Sequence, residues 1–324
     1  MQMKKQLLIQ SIACFALSVP SLAQTQMGFS GPVSGVYFAD TQKAVLPIRG
    51  IPGSAMFADP FLAGVDNASI SPDGNRAVVE RKGAVSLIDG LRSPSPTLTA
   101  LSALASFNLV SWSADSTKAI INSTDAGLVL VDGSTVETSE KLQLSSGSIT
   151  SLAISNSGNV VVSAKGSGVF FARRGQGFEL VTQLDAATSI VLDGKQFRGF
   201  VLDNATNLIQ AFEISAGAQN ITSIPLAAAE GSEYAGLAQS KDGLWLLALN
   251  RGLKQVEVYN IATGGLDSKI ALDFNPTQFQ RIAGGDLFAL SATGLNQALY
   301  VLDTTAQFRI SFIPAMPNLS AEEF

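Results

Sequence analysis

Ser71-Pro72-Asp73-Gly74 is the stretch that decides the fold, because it is a tight-turn sequence between two short apolar runs, Asn67–Ser71 and Arg76–Glu80. Ser and Asp side chains bond the backbone of such a turn, and glycine accepts a positive φ. The pattern recurs about every 42 residues. The later copies are Ser113-Ala114-Asp115-Ser116, Ser155-Asn156-Ser157-Gly158, Leu192-Asp193-Gly194, Ser240-Lys241-Asp242-Gly243 and Ala283-Gly284-Gly285. A period of roughly 40–45 residues with strand-like flanks is typical of β-propeller blades.

Each turn belongs to a unit of four strand-like runs, which predicts four antiparallel strands per blade. The third run of the unit occurs in seven copies, of which Gly35–Asp40 is the first. Six turns and seven third runs predict seven blades, with the first unit beginning halfway through a blade. Residues 24–33, or the tail after Ile313, would then close the ring. Six blades with an added N-terminal hairpin are the alternative. Nothing in the composition divides the chain, so we expect an all-β propeller as a single domain over residues 24–324.

The first 23 residues have the pattern of a secretory signal peptide. Lys4 and Lys5 precede the apolar stretch Leu7–Val19, and Ser21-Leu22-Ala23 offers the small residues of a cleavage site. The stretch is too short to cross a bilayer as a helix. We therefore expect cleavage after Ala23, a secreted or periplasmic mature chain, and no membrane span in it.

Composition excludes several classes of function. The chain has no histidine, and its one cysteine, Cys14, lies in the signal stretch. The commonest general base and the thiol nucleophile are therefore missing from the mature chain. The net charge is −5, and an acidic chain without a basic stripe is not expected to bind nucleic acid. From the residues alone we predict no catalytic, cofactor-binding or metal-binding set, and the composition favours a protein that is not an enzyme.

The turn pairs and the Val-Tyr-Phe-Ala-Asp type of run resemble the YVTN, NHL and TolB-like repeats of secreted bacterial propellers. Two stretches, Gly35–Phe57 and Leu272–Ala315, are similar to an uncharacterised group of exported propellers from soil bacteria. The Trp-Asp and Gly-His pairs of WD40 blades are missing. The resemblance implies the fold and export. It also implies that ligands bind where the loops between blades and the second-to-third-strand loops converge around a central channel.

Most polar and aromatic residues of the repeat are expected to be structural. We expect the turn residues Asp73, Asp115, Asp193 and Asp242 to bond their own backbone. The same holds for the residues that end third runs, Asp40, Asp89, Asp132 and Asp303. Trp112 and Trp245 are expected to pack between blades, and Arg173-Arg174 to form a solvated turn.

The leading functional hypothesis is a non-catalytic, exported, monomeric scaffold that presents its loops to a protein or glycan partner. Gly50–Asp66 and Ala227–Glu233 are the longest candidate loops. The alternative is a calcium-dependent hydrolase of the lactonase or gluconolactonase kind, since some similar propellers have that activity. There, oxygen ligands would hold the ion that polarises an ester carbonyl. The residues considered for it are Asp203, Asn204, Glu230, Glu233, Asn250 and Arg251. A purely structural envelope component is a third possibility.

Overall fold

A computed structural model describes residues 33–51, 53–133, 135–142, 148–193, 198–213, 221–282, 286–291, 297–305 and 308–315. The expected signal peptide, with Cys14, lies outside these residues, and so do the turn Ala283-Gly284-Gly285 and Gly194. Within the described part, the only helix is the single 3-10 turn Asp40–Gln42. In that part of the chain no helix has the length and apolarity needed to cross a membrane.

Seven sheets of four strands each follow one another along the chain. The strands of blades 1 to 3 are β1 (Val33–Ala39), β2 (Ala44–Arg49), β3 (Met56–Phe57), β4 (Leu62–Ala63), β5 (Asn67–Ile70), β6 (Arg76–Arg81), β7 (Ala84–Asp89), β8 (Thr97–Ala100), β9 (Leu109–Trp112), β10 (Lys118–Ser123), β11 (Gly127–Asp132) and β12 (Thr135–Leu142). Those of blades 4 and 5 are β13 (Ile149–Ile154), β14 (Val160–Ala164), β15 (Gly168–Ala172), β16 (Glu179–Thr182), β17 (Ala187–Leu192), β18 (Arg198–Asp203), β19 (Leu208–Glu213) and β20 (Thr222–Pro225). Those of blades 6 and 7 are β21 (Tyr234–Gln239), β22 (Trp245–Asn250), β23 (Gln255–Asn260), β24 (Leu266–Ala271), β25 (Gln280–Ile282), β26 (Leu287–Ala289), β27 (Leu299–Asp303) and β28 (Arg309–Ile313).

The prediction of a seven-bladed propeller with four antiparallel strands per blade is confirmed. In blades 2 to 7 the strands pair in the order in which they occur, first to second to third to fourth. The first strand of each blade is innermost, because first strands contact those of neighbouring blades, as β13 contacts both β9 and β17. All described strand pairs are antiparallel, and in blades 2 to 7 they join strands that are consecutive in the chain, as expected from short connections.

Apolar strands explain how the blades hold together. All residues of β14, the second strand of blade 4, are buried, and so are four of the six residues of β6, the second strand of blade 2. Such strands have neighbours on both faces, since each blade packs between two others. The described buried residues form seven apolar clusters, and each cluster joins two adjacent blades. A single sheet therefore has no core of its own, and burial comes from packing around the ring.

The predicted phase of the first blade was wrong. Gly35–Asp40 was expected to be a third strand, but it lies mainly in β1, which pairs with β2 and contacts the first strands β5 and β25. The loop Gly50–Asp66 contains β3 and β4, which pair with the two ends of β2. Blade 1 is thus complete within residues 33–63. Of the range 24–33, the last residue, Val33, belongs to β1 of this blade, and the tail after Ile313 is not needed to complete any described blade.

The misplaced phase has a physical cause. The β1–β2 hairpin closes through the 3-10 turn Asp40–Gln42 and Lys43, whose φ is 50°, without a Ser-x-Asp-Gly turn. Inner and third strands are both buried here, so their apolar runs look alike in sequence. The ring closes by packing blade 7 against blade 1, where Gln278 Nε2 donates to the Tyr37 hydroxyl at 2.9 Å.

Candidate functional site

The central channel contains a cavity of about 810 Å³. Its lining comes from the inner strands of blades 2 to 7 and from turns between first and second strands. We call these turns the AB turns, and they comprise residues 71–74, 113–116, 155–158, 192–194 and 240–243. This volume lies within the range of ordinary ligand pockets, about 300–1,000 Å³. We call it the channel cavity, and it is a concave site of a size that suits a small ligand.

The channel cavity lies at the end of the channel opposite to the expected one. Its lining includes the AB-turn residues Pro72, Ala114 and Lys241. The resemblance implied ligand binding at the other end, where the loops between blades and the second-to-third-strand loops lie. The inner strands begin at the end of the channel where the loops between blades lie, and they run toward the AB turns. The C-terminal parts of these strands therefore form the cavity wall.

In blades 2, 3 and 6, Ser and Asp side chains of the AB turn satisfy the turn's own backbone groups. Ser71 Oγ donates to Asp73 Oδ1 at 2.5 Å and accepts from the Arg76 amide at 2.9 Å. In blade 6, Ser240 makes the corresponding bonds to Asp242 at 2.5 Å and Trp245 at 3.0 Å. The prediction that Asp in these turns bonds its own turn is confirmed where the bonds are resolved. The positive φ falls on the fourth residue of the turn, as at Gly74 with φ 71° and Gly243 with φ 73°.

Neighbouring AB turns are also bonded to each other. The Asp73 amide donates to Ser116 Oγ at 3.0 Å, which is one blade further on. The Asp115 amide donates to Asn156 Oδ1, again at 3.0 Å. Beside them the buried Arg76 side chain crosses from blade 2 to blade 3, where Nη1 donates to the carbonyls of Ser116 at 3.2 Å and Thr117 at 3.0 Å, and Nη2 to that of Gly133. The rim of the cavity is thereby pre-organised.

The Asp residues that end third strands do more than close turns. Asp303 behaves as predicted, since its Oδ1 accepts from the Thr305 amide at 2.9 Å. Asp132 instead forms ion pairs with Lys118 at 3.1 Å and with Arg174 of blade 4 at 2.9 Å. The predicted solvated turn Arg173-Arg174 therefore contributes one inter-blade ion pair.

The two tryptophans pack between blades, as predicted. Trp112 Nε1 donates to Ser69 Oγ on the neighbouring inner strand at 3.1 Å, and Trp112 is also one of the residues that line the channel cavity. Trp245 stands edge-on to Phe308 of blade 7, with 6.0 Å between ring centroids. Trp112 is thus the only one of the two that a ligand in the cavity would touch.

Blades 6 and 7 supply the polar wall of the cavity. Arg281 Nη2 donates to the Gln239 carbonyl, its guanidinium lies 4.8 Å from the Phe288 ring centroid, and Nη1 is 3.8 Å from Asp286 Oδ1. Burial lowers the pKa of Arg281, and the nearby Asp286 only partly offsets this. The Gln239 side chain is 6% exposed and its Nε2 has no hydrogen-bond partner. Lys241 continues this wall at the cavity rim.

Sequence reasoning missed these wall residues. Gln239 and Lys241 flank Ser240 in the AB-turn motif, and Arg281 precedes the degenerate turn Ala283-Gly284-Gly285. The available signal was a polar residue within or just after a short apolar inner strand, where alternate side chains face either the channel or the next blade. That signal is weak without knowledge of the strand phase.

A buried carboxylate lies in blade 6. Glu257 is fully buried, and its carboxylate accepts from the hydroxyls of Tyr259 at 2.5 Å and Tyr234 at 3.1 Å. It also accepts from Gln255 Nε2 at 2.8 Å and from Asn250 Nδ2 at 3.4 Å. Burial and then Glu257 raise the pKa of Tyr234, and the same two causes raise that of Tyr259. This network was not predicted, since nothing in the sequence marks Glu257 as buried.

The Glu257 network fixes the loop that joins blades 5 and 6. The Tyr259 hydroxyl accepts from the Ala227 amide at 2.8 Å, and Asn250 Oδ1 accepts from the Glu233 amide at 3.1 Å. The candidate loop Ala227–Glu233 is therefore anchored at both ends to blade 6.

The residues considered for a calcium-dependent hydrolase have other partners. Glu233 is exposed and paired with Arg251, which lowers the pKa of that carboxyl. Asp203 bonds its own turn, at 3.1 Å to the Ala205 amide and 2.6 Å to Thr206 Oγ1. Asn204 Nδ2 donates to the Tyr234 carbonyl at 3.0 Å.

Of the same set, Asn250 belongs to the Glu257 network, and Glu230 is exposed. The structure brings Glu233, Asn250 and Arg251 together through hydrogen bonds, and Asn204 next to Tyr234. Within the described ranges, no three acidic side chains are grouped as ligands of a metal ion.

Comparison with known proteins bears on the fold alone. No family model matches the chain, and no curated protein matches it. A functionally unknown protein from Desulfotomaculum acetoxidans has a similar structure, with a TM-score of 0.58 and 14% identity over 87% of this chain and 99% of that one. Hsv2 of Kluyveromyces lactis is similar with a TM-score of 0.55 and 10% identity, over 75% of this chain and 74% of that one.

Proposed function

We propose that this protein is an exported scaffold that binds a saccharide in the channel cavity and carries out no chemistry on it. The observation that supports this best is the make-up of the cavity wall. The aromatic residues Trp112 and Phe279 line the cavity together with polar residues such as Ser111 and Gln239. A sugar ring has C–H faces that pack on aromatic rings and hydroxyl groups that bond polar side chains, so it suits this mixture.

A binding role without catalysis is supported by the chemistry of the residues that are present. The chain has no histidine, and its one cysteine is Cys14. In the cavity wall, Asp73 has its Oδ1 taken up by Ser71 at 2.5 Å and by the Asn75 amide at 3.0 Å. A carboxylate oxygen that already accepts two hydrogen bonds within its own turn is not free to take a proton from a ligand.

Export is supported by the signal-peptide pattern of residues 1–23. A saccharide is a common ligand outside the cytoplasm, and a ring whose rim is bonded from turn to turn has little ordering entropy to lose on binding it. The protein acts as a monomer in this proposal, since residues of six blades of one chain line the cavity.

The two tryptophans allow a direct test, because the chain has only these two. The mature protein should retain members of a glycan array, and binding should change its tryptophan fluorescence. In Trp245→Phe the remaining reporter, Trp112, lies in the cavity wall, so the fluorescence change should persist. In Trp112→Phe it should disappear, although both variants lose one indole ring.

Three outcomes would contradict the proposal. One is a glycan array without any retained member. Another is a ligand whose signal survives in Trp112→Phe and is lost in Trp245→Phe. The third is turnover of lactones with added calcium, which would favour the hydrolase hypothesis.

A further inference from the structure

The wall of the channel cavity is polarised around the ring. Three hydrogen-bond donors, Gln239, Lys241 and Arg281, lie on the adjacent blades 6 and 7. The cavity wall also contains two acidic residues, Asp73 on blade 2 and Asp193 on blade 5. These donors, which we call the positive arc, are therefore continuous across the seam between blades 6 and 7. The acidic residues flank the arc, with Asp193 on the adjacent blade 5 and Asp73 beyond blade 1.

Arg281 is a cation with an incomplete partner. Its closest carboxylate oxygen, Asp286 Oδ1, is 3.8 Å away and makes no hydrogen bond to it. Its other contacts are the neutral Gln239 carbonyl and the face of Phe288. Burial lowers the pKa of Arg281 despite Asp286, which indicates that the charge is only partly compensated by the protein.

Gln239 gives an independent indication of a ligand. Its side chain is only 6% exposed, it lines the cavity, and its Nε2 donates to no acceptor. A buried donor without an acceptor costs free energy, and native structures contain few of them. The Nε2 atom itself is shielded from solvent, so the amide has to rotate toward the cavity before an acceptor oxygen there can relieve this cost. Such an oxygen would also lie near the guanidinium of Arg281, which bonds the same residue's carbonyl.

The two acidic residues of the wall lie outside this arc. Asp73 is on blade 2, and its Oδ1 accepts from Ser71 and from the Asn75 amide. Asp193 is on blade 5 and is the acidic residue next to the arc in the order of the blades. Lys241 adds a second positive charge at the rim, where the side chain is exposed in the AB turn of blade 6. The polar wall of blades 6 and 7 is thus suited to an acceptor that carries negative charge.

We propose that the saccharide bound here is acidic, with a hexuronate carboxylate that accepts from the Gln239 amide and the Arg281 guanidinium while Lys241 approaches it from the rim. This inference rests on the proposed function, whose site it shares. A guanidinium is the side chain best matched to a carboxylate, because its N–H groups form a planar fork. The aromatic residues Trp112 on blade 3 and Phe279 on blade 7 also line the cavity, and they favour a sugar ring over an acidic peptide, which has no comparable apolar face.

The test measures the affinity of the mature chain for trigalacturonate and for neutral galactotriose by titration calorimetry, with a trimer of glutamate as a third probe. We expect trigalacturonate to bind about tenfold tighter than galactotriose, as one charge-assisted hydrogen bond allows. Its affinity should fall as the salt concentration rises from about 0.05 to 0.5 M, because ions screen partly exposed charges.

Variants locate the carboxylate. Lys241→Gln should weaken trigalacturonate binding about two- to fivefold. Arg281→Gln should weaken it about tenfold or more. Lys165→Gln is the matched control, because Lys165 is also an exposed lysine but lies in the second-to-third-strand turn of blade 4, at the far end of the channel. That variant should bind as the parent does. If Arg281→Gln does not fold, the affinity of Lys241→Gln for trigalacturonate and the salt dependence of the parent protein's affinity still test the proposal.

The outcomes separate this inference from the proposed function. Equal affinity for both glycans, or equal effects of Lys241→Gln and Lys165→Gln, would overturn the acidic preference and leave saccharide binding intact. Binding of the glutamate trimer in place of either glycan would overturn the assignment to sugar. Failure to bind any glycan of the array would remove both proposals.

Discussion

Replacing Glu257 by glutamine should destabilise the protein strongly, although the change adds no bulk. The Glu257 carboxylate is fully buried and accepts hydrogen bonds from four side chains, among them Tyr259 at 2.5 Å and Gln255 at 2.8 Å. An amide keeps one acceptor oxygen and turns the other into an NH₂ group that faces donors. The matched control is Glu179→Gln, since Glu179 is exposed on the outer strand β16 of blade 4.

The expected magnitude follows from the bonds that change. A buried donor left without an acceptor costs about 1–3 kcal/mol, and hydrogen bonds to a charged group are worth about 1.5–3 kcal/mol where neutral ones give about 1 kcal/mol. At least one donor loses its acceptor in Glu257→Gln and the others lose the charge, so we expect a loss of about 2–4 kcal/mol. For a chain of 324 residues this lowers Tm by roughly 3–6 °C, from an unfolding entropy of about 2.1 cal/mol/K per residue.

Thermal and urea unfolding, followed by circular dichroism, measure this difference. Glu179→Gln should unfold within about 0.5 kcal/mol of the parent protein, as most exposed substitutions do. Equal stability of Glu257→Gln and Glu179→Gln would refute the reasoning, because it would mean that the ionised carboxylate is not what satisfies the two tyrosines. A second readout is proteolysis of the loop Ala227–Glu233, which the network anchors and which should be cut faster in Glu257→Gln.

Three further predictions concern stability. Arg76→Met should lower the free energy of unfolding in urea by about 3–5 kcal/mol, because three carbonyls of blade 3 lose a buried cationic donor. The control Arg173→Met, at an exposed position, should change it very little. Similar values for the two variants would contradict the role of Arg76. Ser240→Ala should cost about 1–2 kcal/mol, since an AB turn loses two hydrogen bonds, and an unchanged midpoint would argue against their importance. Tyr234 and Tyr259 have raised pKa values, so their neutral form is favoured in the folded state. The stability that they contribute is complete below about pH 10, the ordinary tyrosine value, and is lost as the pH rises beyond it toward their folded values. A tyrosinate titration should therefore show two groups that ionise only as the chain unfolds, and their ionisation in the folded protein would contradict this.

The fold was predictable because a repeated local device specifies it. Ser71 and Asp73 close an AB turn by side-chain bonds within six residues, and the same residue types recur once per blade. Any such turn therefore signals a hairpin without knowledge of the rest of the molecule. The phase of the first blade failed because Lys43 closes the β1–β2 hairpin in a different way.

The candidate site was less predictable, because it depends on contacts between blades that are far apart in sequence. Trp112 was correctly expected between blades, but its place in the cavity wall follows only from which face of β9 points inward. Gln239 and Arg281 are 42 residues apart, and only the pairing of blades 6 and 7 brings them together. Glu257 has the sequence pattern of any polar residue on a strand, and its burial depends on Tyr234 and Tyr259 reaching it.

The seam between the last blade and the first has a consequence for synthesis of the chain. Tyr37 meets Gln278 from 241 positions further along, and the apolar cluster at this seam draws residues from both blade 1 and blade 7. At about 5–20 residues per second, a ribosome needs roughly 10–50 s to make the intervening polypeptide. During that interval, the apolar face of blade 1 that will pack against blade 7 is uncovered. The nascent chain is therefore exposed to aggregation until blade 7 has been made, unless it stays unfolded or a holdase covers this surface.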